Sequence, residues 1–217
     1  MRCSALGLSL LVLALAVACG TQEELLGTEL DAPGEAADFQ LQDQFGATAT
    51  LAALRGRVVV LTFLYTNCPD ICPVVAGHLR DAHEMLQDDA DGVTMLAITV
   101  DPERDTAESA LAYSRRWQME NDWSFLVGPR ESLEPVWSAY YLQPSADIEH
   151  RPATTSAAEA PKRGGPATLR ESFTETYLVS HSAPVYLIDR EGKLRVLHTL
   201  PFEPEALVHD IRILLGL

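Results

Sequence analysis

Residues 58–65, Val-Val-Val-Leu-Thr-Phe-Leu-Tyr, form an apolar, largely β-branched run with no polar alternation. Such a run predicts a strand buried on both faces. The period then changes. Val75, Ala76, Leu79, Ala82 and Leu86 recur at helical spacing, which predicts a helix over 73–87. A second continuous run predicts another buried strand over 93–100. The loop 101–106 ends at Thr106, a residue suited to cap a helix, and 107–117 reads as that helix. A short strand at 123–127 and a helix at 132–141 follow. Residues 184–189 and 193–200 flank Arg190, Glu191 and Gly192, predicting strand, tight turn, strand. Leu207, Ile211, Leu214 and Leu215 give the closing helix, 204–217, an apolar stripe. Upstream, 38–46 alternates apolar and polar positions and turns at Gly46, with 48–51 as its hairpin partner. Residues 51–56 predict one helical turn ended by Gly56. No internal repeat is present.

Strand-helix-strand units followed by a strand hairpin and a last helix predict an α/β domain over 37–217. Two cysteines, Cys68 and Cys72, fall at the first strand-to-helix junction. That order, with a Cys pair at that place, is the thioredoxin arrangement. The early hairpin and the 107–141 segment are additions to it. Residues 143–170 change character: Pro, Ala, Ser, Thr, Gly and charge dominate, as in Pro161-Lys-Arg-Gly-Gly-Pro166. This predicts a long exposed loop inserted before the segment that carries His181.

The N-terminus reads as a targeting segment. Arg2 supplies a positive start, and 6–17 is almost wholly apolar but short for a transmembrane helix. Small residues then surround Cys19. The pattern resembles a bacterial lipoprotein signal over 1–18, with Cys19 lipidated as the new N-terminus. Ordinary secretion and an uncleaved anchor are the alternatives, and all three place the rest of the chain outside the cytoplasm. Residues 19–36, acidic and aperiodic, read as a flexible membrane tether. Of 217 residues, 31 are Asp or Glu and 16 are Lys or Arg. That balance argues against nucleic acid as a partner and is met most simply by a solvated acidic surface.

The exported compartment permits disulfides. A structural staple is the weakest use of Cys68 and Cys72, because so small a loop stabilises little. Metal binding and electron exchange stay open. With Pro73 at the first helical position, Cys72 lies where a helix dipole favours thiolate. If both cysteines are helical, their Cα atoms lie about 6 Å apart on one face, close enough for a disulfide or for both sulfurs to clasp one ion. Asp70, between them, opposes thiolate and favours a bound cation, or simply faces solvent. Two thiolates are soft ligands that favour Cu(I); zinc would want four ligands, and no further Cys is at hand. Of the six histidines, His78 and His83 lie on the first helix beyond its first turn, His150 lies in the inserted loop, and His198 and His209 read as surface residues. His181 stands three residues before Pro184. In a thioredoxin-like fold the loop before that strand faces the Cys-bearing turn, which brings His181 within reach of the pair. Pro184 is either the cis proline that such folds place there or an ordinary trans proline opening a strand.

Thr66-Asn-Cys-Pro-Asp-Ile-Cys-Pro73 resembles the signature of the Sco (SenC) copper-chaperone family. Thr99-Val-Asp-Pro-Glu-Arg-Asp-Thr106 and Ser180-His-Ser-Ala-Pro-Val-Tyr-Leu-Ile-Asp189 resemble two further family blocks, in order. The resemblance implies a membrane-tethered, thioredoxin-like protein with copper, as Cu(I) or Cu(II), on Cys68, Cys72 and His181. It implies assembly of the binuclear copper centre of cytochrome c oxidase, by delivering copper to its copper-bearing subunit or by keeping that subunit's cysteines reduced. Other copper chaperones or thiol reductases are further partners, and the protein is expected to be a monomer. Asp70, Asp101, Asp105 and Pro184 are candidates for groups around the site. The alternative is a thiol–disulfide oxidoreductase that uses the Cys68/Cys72 couple.

Overall fold

The structure, a computed structural model, describes residues 24–30, 33–147, 178–180 and 182–217. Its centre is β4 (Val58–Leu64), every residue of which is buried. β4 pairs in parallel with β5 (Val93–Thr99), and β5 in parallel with β6 (Trp123–Leu126). On its other side β4 pairs antiparallel with β9 (Val185–Ile188), which pairs antiparallel with β10 (Leu194–His198). Parallel strands need crossovers, and these are α1 (Ile71–Leu86) between β4 and β5 and α2 (Ala107–Arg116) between β5 and β6. The buried stripe of α1, from Val75 through Leu79 to Leu86, follows the expected spacing. α3 (Arg130–Ala139) follows β6, and α4 (Pro204–Leu215) closes the chain and packs on α1. The α/β arrangement expected from the sequence is thus present. A fully buried Val, Leu or Phe contributes roughly 1.5–3 kcal/mol, so β4 and β5 anchor the domain.

Thr106 does cap α2: its hydroxyl accepts from Ser109 N–H, and Ser109 Oγ accepts from Thr106 N–H at 2.8 Å. β2 (Gln40–Gln42) and β3 (Thr48–Thr50) form the expected hairpin. Buried Gln44 fixes it to β6, donating to the carbonyls of Glu120 and Trp123 and accepting from Phe125 N–H at 2.7 Å.

The tether expected over 19–36 does not extend that far. β1 (Thr28–Glu29) pairs antiparallel with β10 and forms the edge of the six-stranded sheet. Ala36 N–H donates to Gly192. The reason lies in α4: the Asp210 carboxylate accepts from the N–H groups of Leu26 and Gly27, both at 2.8 Å. Its third partner is His198, whose Nε2 lies 2.9 Å away. His198 is therefore no surface residue. It is 3% exposed and Asp210 is 0% exposed. Gly27 fits because it has no side chain; a Cβ there would lie 2.5 Å from Val196 Cγ1. The inserted segment is closed at its base, where β7 (Ser145–Asp147) pairs antiparallel with β8 (Leu178–Ser180). Residues 1–23, including Cys19, and 148–177, including His150, lie outside the described residues.

Candidate metal centre

The two cysteines meet where β4 ends and α1 begins. α1 starts at Ile71, two residues before the expected 73, so Cys72 is its second residue and Pro73 its third. Proline is still tolerated there, because N–H groups of the first turn have no helical partner. Cys72 is buried and Cys68 half-buried, and no disulfide joins them.

The roles of the two sulfurs differ from expectation. The sequence places the effect of the helix end on Cys72. In the structure the Cys72 thiol donates to the sulfur of Cys68, which pulls the Cys68 thiol down to about 6 despite its burial. The N–H groups of Asp70 and Cys72 and the Tyr65 hydroxyl add to the effect; Cys72 N lies 3.4 Å from Cys68 Sγ. Cys72 itself is pushed up, by donating to Cys68 and by burial. The orphan N–H groups of the first turn of α1 thus serve a sulfur that lies before the helix. In reduced, metal-free protein, iodoacetamide at neutral pH is expected to label Cys68 at least about tenfold faster than Cys72, since thiolate and access both favour it. Peptide mapping after timed quenching measures this; equal labelling would contradict the assigned roles.

Asp70 is exposed at the N-cap position of α1, and its side chain makes no capping bond. Its main-chain N–H turns towards Cys68. Asp101 and Asp105 are buried. Asp105 accepts from Thr66 N–H and hydroxyl and from the Thr99 hydroxyl, the last two at 2.6 Å. It therefore clamps the loop that leads into Cys68 to the end of β5. Burial pushes its carboxyl up, against the effect of those hydrogen bonds. Asp101 holds Arg104, and the Arg104 guanidinium stands 5.8 Å from the centre of the Tyr65 ring. Burial pushes the Tyr65 hydroxyl up to about 12, so it is a donor at neutral pH. It also accepts from Val179 N–H at 3.3 Å.

Pro184 is buried and its carbonyl accepts from the Thr62 hydroxyl of β4 at 2.9 Å. Among the described residues the cis bond is Leu200–Pro201, so the trans alternative holds for Pro184. His181 lies outside the described residues. Among those described, no third Cys, His, Asp or Glu joins Cys68 and Cys72 in a metal-holding group. His78 packs edge-on against Phe202, with ring centres 5.1 Å apart.

Sequence reasoning missed Tyr65, Thr66, Thr99 and Arg104. One signal was available: a polar residue ending an otherwise apolar buried strand, as Thr99 does, needs a partner. Tyr65 gave none, because a strand end accepts an aromatic for packing alone.

A profile of the family described as SCO1/SenC matches residues 28–216. The SCO1 protein homolog of Bacillus subtilis is 31% identical over 118 residues, covering 53% of this chain and 58% of that protein. The chain thus spans less than two thirds of that relative's length. The solved structure of Bradyrhizobium japonicum ScoI with copper bound superposes with a TM-score of 0.64 at 27% identity, over 82% of this chain and 98% of that one. The solution structure of apo Sco1 from Thermus thermophilus gives 0.65 at 26% identity, over 90% and 99%. These structures carry the thioredoxin-like fold.

Proposed function

We propose, from the premise that this chain belongs to the SCO1/SenC family, that it binds copper and serves the assembly of the binuclear copper centre of cytochrome c oxidase. Cys68, Cys72 and His181 would hold the metal. The observation that carries the reading is the sulfur pair at the start of α1, with Cys68 poised as thiolate and Cys72 hydrogen-bonded to it. A soft two-sulfur set is what Cu(I) prefers. The copper-bound state of the Bradyrhizobium japonicum relative supports the choice of metal. β8 ends one residue before His181, and its Val179 is hydrogen-bonded to Tyr65 beside Cys68. That supports His181 as third ligand.

Copper is cargo in this reading, and the copper-bearing subunit of the oxidase is its recipient. The protein would work as a monomer outside the cytoplasm, held to the membrane by a lipid on Cys19. Among the described residues no helix is long and apolar enough to cross a membrane.

Anaerobic Cu(I) titration against a competing chelator tests the reading. One copper per chain is expected, with His181→Ala weakening it by about a hundredfold, the upper range even for groups that only support a ligand. Binding that ignores His181 would sink the assigned site. The Cys68 thiolate beside a Cys72 thiol also favours a second reading, thiol–disulfide exchange: Cys68 attacks a substrate disulfide and Cys72 resolves the mixed disulfide. Rapid disulfide turnover in His181→Ala, with feeble copper uptake by the wild type, would favour that reading instead.

A further inference from the structure

We infer that Tyr65 is a positioning residue of the copper site, its hydroxyl joining the strand that leads into His181 to the sulfur of Cys68. The assignment rests on the copper-binding reading above. Tyr65 follows β4 directly and is 2% exposed. Its hydroxyl donates to Cys68 and accepts from Val179 N–H at 3.3 Å. Its carbonyl accepts from Cys68 N–H, also at 3.3 Å. One residue thus holds Cys68 by main chain and side chain together.

The link to Val179 follows from the topology. Among the described residues β8 pairs with β7 alone, in register Ala146↔Val179. A two-stranded ribbon leaves the outer edge of each strand without a ladder, yet a buried N–H needs an acceptor. Val179 is buried, and the Tyr65 hydroxyl supplies that acceptor. A hydroxyl that donates to a sulfur is polarised and accepts more strongly, so the two bonds support each other. Packing alone does not require the oxygen. Phenylalanine would fill the same space beneath Arg104 but would leave Val179 N–H and the sulfur without this bridge. Two segments more than a hundred residues apart in the chain meet at that one oxygen.

The test is Tyr65→Phe, with wild-type copper uptake measured first. In the metal-free variant the amide of Val179 is expected to exchange at least about tenfold faster, while those of Val60 in β4 and Ala97 in β5 keep wild-type rates. Cu(I) retention against a chelator is expected to fall about tenfold, as for loss of one hydrogen bond to a charged group. The sulfur-to-copper charge-transfer band of the Cu(II) form should shift, because the thiolate has lost a donor; a merely structural loss would not move it. Unchanged Val179 exchange overturns the bridge. Faster exchange with wild-type copper retention and an unmoved band overturns the positioning role. A wild-type chain that takes up no copper overturns the copper reading itself, and this assignment with it.

Discussion

Replacing Cys72 by serine is expected to cut Cu(I) retention by more than a hundredfold while the domain stays folded. Changes that only disturb the support of a ligand cost about 10–100-fold; loss of a sulfur donor must exceed that. A serine hydroxyl is a hard group that stays protonated, and it does not replace a thiolate on a soft ion. The fold should tolerate the change. Cys72 lies buried in the first turn of α1, and a hydroxyl there can donate to Cys68 as the thiol does. An unpartnered buried hydroxyl would cost about 1–3 kcal/mol, so Cys72→Ala serves as a check on the serine. Cys68 keeps the N–H groups of residues 70 and 72 and the Tyr65 hydroxyl, and should still be alkylated quickly. Lost copper with rapid Cys68 labelling separates a missing ligand from a broken fold. Wild-type retention in Cys72→Ser would remove Cys72 from the ligand set.

The largest stability effect is expected far from the cysteines, at Asp210. Asp210→Ala leaves the N–H groups of Leu26 and Gly27 and the buried His198 without their shared acceptor. Leaving a buried donor without its acceptor costs about 1–3 kcal/mol, and three such groups lose theirs here. Urea melts should show that loss, with early exchange of the Leu26 and Gly27 amides and release of β1 from β10. The acid limb carries a second signature. Burial pushes the Asp210 carboxyl up, but the bonds from His198, Leu26 and Gly27 outweigh it and hold the carboxyl below its usual range. Its stabilisation is therefore complete above the unfolded carboxylate value of about 3.9 and is lost as pH falls through the lower folded value. Asp210→Ala should lack that part of the acid dependence. A variant as stable as the wild type would show that β1 is held by its ladder alone.

The parallel centre of the sheet was legible because β4 and β5 are predominantly apolar runs with no polar alternation. α1 and α4 were legible from their stripes, and α2 from the cap at Thr106. β1 was not: Thr28 and Glu29 are exposed on both faces, and only a partner strand distant in sequence makes them a strand. β7 and β8 are also made strands by a partner distant in sequence. His198 was misread because it meets Asp210 of α4 and the distant Gly27 segment. Asp210 left a faint trace, one carboxylate on the buried face of α4 between Leu207 and Ile211. Around the cysteines the positions could be read but not the division of charge. Sequence order suggests that the helical Cys72 should benefit from the helix end; the turn of the chain instead delivers Cys68 to those N–H groups.

The β7–β8 pairing has a consequence for how this chain can change over time. With Ser145 opposite Ser180, the residues between 147 and 178 begin and end at one fixed gate. Loop closure grows only slowly with length, by about 0.6 kcal/mol for each doubling. Insertions, deletions and new sequence there leave Val179, Tyr65 and Cys68 in register. The chain can thus change length between those two strands at little risk to the sulfur pair.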